Sequence, residues 1–477
     1  MATTELQDFY TEYGKALDDR DAALFIGAGI SKGAGLKSWS ELLESVATDL
    51  GLQIDKETDL ISLAQYHFNK HRVRSRLNQL LRDEFDRPMP LSDDLRLIAR
   101  LPVDTIWTTN YDHMLEQAYE AEGKRYDTKV MAEDLSVSMR GRDVTIYKMH
   151  GDVNRPDTAV LIKDDYEVFA RDRELFSTVL RGDLVNKTFL FLGYSLSDPN
   201  VDYILAHIRI LLGNSPRPHY WIVRRPIPPR DHTDRAEYEY AKRKLDLRID
   251  DLKRYGIEAL LIDSFDEVTE ILTQLNRRAH RNNVFISGSA AQFAPLDKDR
   301  VEQLVYQLSR DLIRSGQNLV SGFGLGIGGV VALGALEHIY RNNLSLTRLS
   351  LFPFPQRECD DGAKEKFYSQ YRTSMLSNSG FAIFISGNRK DPSANIIIDA
   401  PGVMEEFDIA CHLGKVPIPF GASGWAAWSI WQKVGTQPNT YYGTKNVSGA
   451  LKILGESGRT DDEYVDAIFK MIDELGR

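Results

Sequence analysis

Short apolar runs alternate with longer amphipathic stretches along this chain. AALFIG (22–27) is short, apolar and ends at glycine, which predicts a buried strand, and KTFLFLGYS (187–195) is predicted to be another strand. SWSELLESVATDLG (38–51) instead has helical spacing, with Ser38 as a plausible N-cap and Gly51 as its stop. Strands that alternate with helices predict a parallel sheet that is covered on both faces.

The same reasoning divides the chain into two α/β units. In the first unit the pattern predicts strands at 22–27, 104–110, 144–151, 187–195, 219–225 and 259–263, and helices at 3–19, 38–51, within 58–101, at 112–123, at 199–213 and up to about 280. Residues 226–256 are proline-rich and then densely charged, which favours a solvated helix, and RRAHRNN (277–283) is typical of a linker.

The alternation restarts at NVFISGSA (283–290). The second unit is predicted to have strands at 283–290, 318–322, 349–354, 381–388 and 416–423, and helices at 297–315, up to about 341, around 363–378, at 401–413 and at the chain end. We therefore predict one domain over residues 1–280 and another over 281–477.

Composition and net charge limit the classes of function that are open to this chain. A net charge of −10 makes nucleic acid an unfavoured partner, and no apolar run approaches the roughly 18–20 residues that span a bilayer. The polar, acidic N-terminus lacks the features of a signal peptide. Two cysteines, Cys359 and Cys411, are too few for a four-thiolate zinc site or a disulfide framework, so we expect a reducing, cytoplasmic setting and no metal.

Four polar motifs follow four predicted strands of the first unit: LFIGAGIS (24–31), TTNYD (108–112), HGD (150–152) and GYSLSDPN (193–200). Parallel strands end at one edge of a sheet, where ligands bind in open α/β folds. The small residues of GAGIS would let a phosphate approach the backbone, and Asn110 can both donate and accept hydrogen bonds.

Each motif also has a plainer interpretation. GAGIS could be a tight turn, Asn110 and Asp112 could cap the helix that follows them, and Asp198 could cap the helix from Pro199. A single histidine at a strand end, such as His150, is more often structural than catalytic.

The order of the four motifs resembles the sirtuin-like NAD-binding domain over about residues 10–275. This resemblance implies a Rossmann-like fold in which His150 is the catalytic base and Asn110 lies with it in the nicotinamide ribose pocket. It also implies a set of residues that contact NAD+: Ala28, Gly29, Ser31, Asp112, Gly193 and Ser195.

One departure from that family changes the expected reaction. Deacylating sirtuins carry two CxxC pairs that hold zinc, and this sequence has no CxxC. Water therefore becomes the expected nucleophile, and the expected reaction is hydrolysis of NAD+ to nicotinamide and ADP-ribose. A positioned base such as His150 would contribute roughly 10²–10⁴-fold to the rate.

The second unit contains a glycine-dense stretch, GFGLGIGG (322–329), between a strand and a helix. Such a stretch suits phosphate or ribose binding, although close packing of helix on sheet would also explain it. Arginine suits phosphate and a carboxylate suits ribose hydroxyls, so QYRTSM, GNRK and PGVMEEF supply candidates that could equally be surface charges.

These motifs together resemble the SLOG family of nucleotide-sensing, Rossmann-like domains. PGVMEEF departs from the PGGxGTxxE of the hydrolases related to that family, which favours a sensor. The resemblance implies a set of residues that bind the signal: Gly288, Ser289, Gly322, Gly324, Gly326, Arg372, Arg389 and Glu406. Arg389 stands where that family is expected to carry lysine.

A sirtuin-like domain followed by a SLOG domain resembles the NAD-consuming effectors of the bacterial Thoeris anti-phage system. That resemblance implies a homotetramer, activation by a cyclic ADP-ribose isomer made by a TIR-domain partner protein, and NAD+ depletion that leads to abortive infection. Two alternatives stay open at this stage: a sirtuin-like deacylase or ADP-ribosyltransferase, and a non-catalytic nucleotide-binding subunit.

Overall fold

A computed structural model describes residues 2–196, 198–212, 217–227, 234–354, 361–391 and 393–476. Backbone contacts divide the chain into two compact units, residues 1–276 and 277–477. Cys359 and part of the proline-rich segment, residues 228–233, lie outside the described residues. No helix in the described part of the chain is long and apolar enough to cross a membrane.

The first unit is built on a seven-stranded, wholly parallel sheet with the order β3-β4-β2-β1-β5-β6-β7. Its strands are β1 (Ala22–Ile26), β2 (Thr105–Thr108), β3 (Tyr126–Lys129), β4 (Val144–Lys148), β5 (Thr188–Leu192), β6 (His219–Arg224) and β7 (Ile257–Ile262). The chain leaves β1 toward β2 on one side and later returns to β5 on the other, so the strand order reverses at β1.

The helices of this unit are α1 (Ala2–Asp18), α2 (Ala28–Gly33), α3 (Trp39–Leu50), α4 (Leu60–His71), α5 (Ser75–Phe85), α6 (Asp93–Arg100), α7 (Met114–Ala121), α8 (Lys163–Asp172), α9 (Glu174–Asn186), α10 (Pro199–Leu212), α11 (Arg235–Leu252) and α12 (Asp266–His280). The predicted ends of α3 are confirmed: Ser38 and Glu41 form a capping box, and Gly51 adopts a φ of 74°. The helical stretch 58–101 is three separate helices, and α11 is the solvated helix that its charges predicted.

The second unit has a five-stranded parallel sheet with the order β10-β9-β8-β11-β14. Its strands are β8 (Asn283–Ser289), β9 (Asn318–Ser321), β10 (Leu349–Leu351), β11 (Phe381–Ser386) and β14 (Val416–Phe420), and an antiparallel ribbon joins β12 (Asn388–Lys390) to β13 (Ile397–Asp399). Its helices are α13 (Lys298–Arg314), α14 (Gly328–Arg341), α15 (Asp361–Ser377), α16 (Pro401–His412), α17 (Trp425–Thr436), α18 (Pro438–Tyr442), α19 (Ser448–Gly455) and α20 (Asp461–Leu475).

The predicted fold class, two Rossmann-like parallel-sheet units, is confirmed, but two local predictions need correction. RRAHRNN is not a linker: α12 continues to His280, which is 3% exposed, and β8 begins at Asn283. Strand β3 was missed because its sequence, YDTK, is not apolar. Asp127 and Lys129 are buried there as an ion pair with atoms 2.9 Å apart, so each charge neutralises the other.

Candidate functional site

The four polar motifs of the first unit begin at one level of the sheet. Ile26 of β1 is in register with Thr108 of β2 and with Leu192 of β5, and Thr108 is in register with Lys148 of β4. The motifs that follow these four residues therefore share the carboxyl edge, around the point where the strand order reverses. This is the edge that the sequence predicted.

Asn110 is held in place by its amide nitrogen and leaves its amide oxygen unpaired. Its Nδ2 donates to the carbonyl of Gly27 at 3.2 Å and to Ser31 Oγ at 2.9 Å. The residue is 7% exposed, and Oδ1 has no hydrogen-bond partner in the described part of the chain. An unpaired buried acceptor costs free energy, so the site favours a ligand or water that donates a hydrogen bond here.

His150 is a buried, neutral base beside a carboxylate. It is 3% exposed, and its Nε2 lies 3.3 Å from Asp198 Oδ2, although the pair lacks the alignment of a hydrogen bond. Burial lowers the pKa of His150, and the charge of Asp198 offsets only part of this effect. Tyr166 and Phe169 pack edge-on against the ring and support its apolar setting.

Lys148 is a buried charged residue at this edge that the sequence analysis missed. It is 1% exposed, and its Nζ lies 2.5 Å from Asp152 Oδ2 and 3.1 Å from Glu116 Oε1. The same ammonium donates to the carbonyl of Asp112 at 2.6 Å, so it ties the loop after β2 to the loop after β4. Burial alone would lower the pKa of Lys148, but Glu116 and Asp152 outweigh it and raise that pKa. The only signal in the sequence is a lysine that ends an apolar strand.

Two aspartates act as helix caps, as the plainer interpretation expected. Asp112 Oδ1 accepts from the N–H of Met114 at 3.0 Å, where α7 begins. Asp198 Oδ1 accepts from the N–H of Asn200 at 2.9 Å, which leaves Oδ2 for His150. Asp198 therefore joins the start of α10 to His150, a pairing across 48 positions that the sequence analysis did not find.

The remaining predicted NAD+ contacts lie on the turns after β1 and β5. Ala28 and Gly29 are exposed in the first turn of α2, Ser31 is buried against Asn110, and Gly193 and Ser195 are exposed after β5. The N–H of Gly29 already donates to the carbonyl of Gly193 at 2.8 Å. Gly193 has a φ of 61°, and a Cβ there would lie 2.5 Å from the nitrogen of Ile30, so only glycine fits this close approach. Gly29 and Gly193 therefore bring the turn after β1 and the turn after β5 into close contact.

In the second unit three predicted glycines lie in one loop, which packs on the end of β8, and the fourth, Gly288, belongs to β8 itself. A Cβ on Gly324 would lie 2.1 Å from the carbonyl oxygen of Gly288, and the N–H of Ala290 donates to the carbonyl of Leu325 at 2.7 Å. Gly322 and Gly326 belong to the same loop, and Ser289 Oγ donates to the carbonyl of Asn388. Two apolar side chains of the loop, Phe323 and Leu325, are 45% and 70% exposed.

Arg372 and Glu406 lie together, with a carboxylate that the sequence analysis did not select. Arg372 Nη1 lies 2.6 Å from Glu405 Oε2, and its Nε lies 3.6 Å from Glu406 Oε1 without a hydrogen-bond partner in the described residues. Glu406 accepts from Ser287 Oγ at 2.6 Å. Burial raises the pKa of Glu406 to about 7, against the lowering effects of Ser287 and Arg372.

Arg389 stands apart from this group. It is exposed on β12, and within the described ranges it has no hydrogen bond or ion pair to the other predicted signal-binding residues. Its connection to them runs through the backbone, where the N–H of Gly387 donates to the carbonyl of Ser289 at 2.9 Å.

Comparisons with known proteins agree with this two-unit arrangement. The SIR2-like domain family matches residues 104–248, and the Sir2- and TIR-associating SLOG family matches residues 267–475. The chain is 39% identical over 474 residues to the NAD(+) hydrolase ThsA of Bacillus cereus (strain MSX-D12), with 98% of both chains covered. It is 39% identical over 485 residues to the protein of the same name from Cytobacillus dafuensis, covering 99% of this chain and 97% of that one. It is 40% identical over 434 residues to that of Acinetobacter baumannii (strain 532279), with 90% of both chains covered.

Proposed function

This chain belongs to the ThsA family, and from that premise we propose that it hydrolyses NAD+ to nicotinamide and ADP-ribose at the carboxyl edge of its first sheet. The observation that carries the proposal is the pair formed by Asn110 and His150. Both are buried after neighbouring strands, one offers an unpaired acceptor, and the other is a neutral base.

The reaction breaks the bond between the ribose C1′ and the nicotinamide nitrogen. Its electron pair returns to the pyridinium ring, which leaves as neutral nicotinamide, and positive charge develops on the ribose. The unpaired Oδ1 of Asn110 is suited to accept a hydrogen bond from a ribose hydroxyl or from the attacking water.

His150 completes the reaction as the base. Water adds to C1′ and gives up one proton, which His150 takes, so the products are ADP-ribose, nicotinamide and a proton that is later released to solvent. A lowered pKa keeps the imidazole unprotonated near neutral pH, which is the form that a base requires. Asp198 would orient the ring and stabilise the imidazolium once it forms.

The direct test follows nicotinamide release from NAD+ by the purified full chain. We expect His150→Ala and Asn110→Ala each to remove at least about 100-fold of the rate, since a positioned base contributes roughly that much. Asn110→Asp is a matched variant. It keeps the shape of the side chain but replaces the amide nitrogen that donates hydrogen bonds to Gly27 and Ser31. Full activity in His150→Ala or Asn110→Ala would disprove the assignment, and labelled ADP-ribose on protein in place of free ADP-ribose would indicate a transferase.

For the second unit, we propose a sensor that activates hydrolysis when it binds a cyclic ADP-ribose isomer made by a TIR-domain partner. Support comes from the match to a Sir2- and TIR-associating SLOG family and from a glycine loop that borders the strand-order reversal at β8. Arg372 would hold the diphosphate and Glu406 a ribose hydroxyl, while Phe323 and Leu325 offer apolar surface to a base. The homotetramer, the cytoplasmic location and the role in Thoeris defence are parts of the same proposal.

The sensor is tested by measuring NAD+ hydrolysis against the concentration of each cyclic ADP-ribose isomer. Arg372→Ala should raise the half-activating concentration at least about tenfold, which corresponds to about 1.4 kcal/mol. The variant should keep any hydrolysis that occurs without the activator. An unchanged activation curve would place the signal elsewhere without affecting the assignment of His150.

A further inference from the structure

We infer that Asp49, His67 and His71 form a binding site for a divalent transition metal ion of the zinc class, on helices α3 and α4 of the first unit. His67 and His71 are four positions apart on α4, so both rings project from one face of that helix. Asp49 reaches them from α3. The ligating atoms of the three residues all lie within 4.8 Å of one another.

The spacing of these atoms suits a metal ion that would replace one direct contact, since His71 Nε2 and Asp49 Oδ2 are hydrogen-bonded at 2.6 Å. Zinc bound by two imidazoles and a carboxylate holds each ligand atom at about 2.0–2.2 Å, which places neighbouring ligand atoms about 3.3 Å apart in a tetrahedral site. Asp49 Oδ2 lies 2.6 Å from His71 Nε2 and 3.6 Å from His67 Nε2, and these two distances bracket that value. A bound ion would hold the three atoms at three corners of a tetrahedron.

His67 supplies independent support. Its side chain is 3% exposed, its Nδ1 has no partner, and its Nε2 is not hydrogen-bonded to any described residue. Nε2 faces Asp49 and is available to coordinate an ion, while Nδ1 would carry the ring proton. His71 and Asp49 are 37% and 43% exposed, so water can reach the fourth position of the ion.

A second group of possible ligands, His113, Glu116 and Asp152, does not support the same inference. The ammonium of Lys148 already lies between its two carboxylates, at 3.1 and 2.5 Å. In that group the ammonium of Lys148 therefore occupies the position that a metal ion would take. At the Asp49 site the nearest ammonium, that of Lys70, is 3.6 Å from the carboxylate and donates to the carbonyl of Asp49 at 2.5 Å.

The proposed ion would connect two helices that pack on the catalytic edge. The buried faces of α3 and α4 contribute Leu43, Val46 and Leu63 to a cluster that also contains Tyr111 of the TTNYD segment. We therefore expect bound metal to stabilise this helical layer.

The test uses the full chain, stripped of metal with a chelator and titrated with Zn²⁺ in competition with a chromogenic chelator. We expect one ion per chain with micromolar or tighter affinity. His71→Gln and Asp49→Asn should each weaken binding at least about tenfold, and because both residues are partly exposed these variants should fold. Lys70→Gln should strengthen binding, since it removes a competing positive charge.

His412→Gln, at an exposed histidine of α16, is the matched control and should leave zinc affinity unchanged. Replacement of zinc by Co²⁺ should give visible absorption bands that His71→Gln removes, and zinc should raise the melting temperature of the parent chain but not of His71→Gln. Equal affinity in the parent chain and in His71→Gln, or no binding up to about 100 µM Zn²⁺, would refute the site.

Discussion

The two units use closely related sheets but hold their polar groups in different ways. In both, the first strand lies inside a parallel sheet and a glycine turn fits closely where the strand order reverses. In the first unit, Asn110 and His150 are buried and Lys148 ties their loops together. In the second, Arg372 pairs with the partly exposed Glu405, and the loop that carries Phe323 remains open to solvent.

This difference agrees with the two proposed tasks. A hydrolytic site gains when its dipoles and base are fixed before the substrate arrives, because no reorganisation is then needed during the reaction. A sensor can transmit a signal only if the ligand binds two states of the protein with different affinity, so its groups must be able to change partners. The following predictions test this contrast from the largest expected effect to the smallest.

Replacement of Lys148 by Met should give the largest effect. Both Glu116 and Asp152 would lose their ammonium partner while buried, which typically costs about 3–5 kcal/mol of unfolding free energy. Arg372→Met is the matched change in the second unit, and it should cost no more than about 1 kcal/mol, because Glu405 is 37% exposed and can be solvated. Urea unfolding, with hydrogen exchange of peptides from each unit, measures both values. Equal losses of unfolding free energy in the two variants would contradict the contrast between the two units.

Asp198→Asn should impair the chemical step more than substrate binding. The carboxylate raises the pKa of His150 against the effect of burial, so its loss should shift the acid limb of the activity profile to still lower pH. We expect kcat to fall by about tenfold and KM to change little, since only part of the benefit of a base is lost. Asp202→Asn, at a neighbouring carboxylate of α10 that pairs with Arg248, should leave the acid limb in place. An unshifted limb in Asp198→Asn would mean that the carboxylate only caps the helix.

The raised pKa of Glu406 predicts how the stability of the second unit depends on pH. The unfolded chain releases this proton near pH 4.5 and the folded chain near pH 7, so stability falls as pH rises across that window. Glu406→Gln should flatten the fall and raise the melting temperature at pH 8. Thermal unfolding at pH 5, 6.5 and 8 tests this, with Glu337→Gln as the control at a carboxylate of α14 that pairs with Arg341. A parallel pH dependence in Glu406→Gln and the parent chain would contradict the prediction.

Glu405→Gln should give the smallest effect, and unlike most substitutions it should make activation easier. It removes the carboxylate that pairs with Arg372 and that an anionic activator would have to displace. The half-activating concentration should fall about two- to fivefold, as expected for a partly exposed ion pair. Glu337→Gln, which breaks the pair with Arg341 on α14, should leave the activation curve unchanged. A weaker response in Glu405→Gln would mean that Glu405 positions Arg372 and does not compete with the ligand.

The sequence was sufficient for the elements that apolar patterning defines. Strands such as β1 and β5 are continuous apolar runs that end at polar motifs, so both the parallel sheet and the edge that carries the four motifs could be predicted. Strand β3 could not be predicted, because its charged residues are buried as an ion pair. The end of α12 could not be predicted either, because the basic residues around the buried His280 made the segment look exposed.

For the candidate site, the sequence predicted which polar residues lie at the strand ends but not which residues they contact. Asn110 and His150 stand out as polar residues at strand ends. Their supports, Lys148 with Glu116 and Asp198 with His150, are pairs between residues far apart in the sequence. In MEEF the sequence offers two adjacent glutamates, and only the helical geometry of α16 decides that Glu406 is buried and Glu405 faces Arg372.

The near-neutral pKa of Glu406 also has a calorimetric consequence. A carboxyl that is partly protonated at pH 7 must gain or release a fraction of a proton, on the order of one half, whenever a ligand fixes its charge. The buffer absorbs or supplies that proton, so the apparent heat of ligand binding will differ between phosphate and Tris by the corresponding share of their ionisation enthalpies. Across a series of buffers, the slope of this heat would report whether the signal is bound by the acid or by its anion.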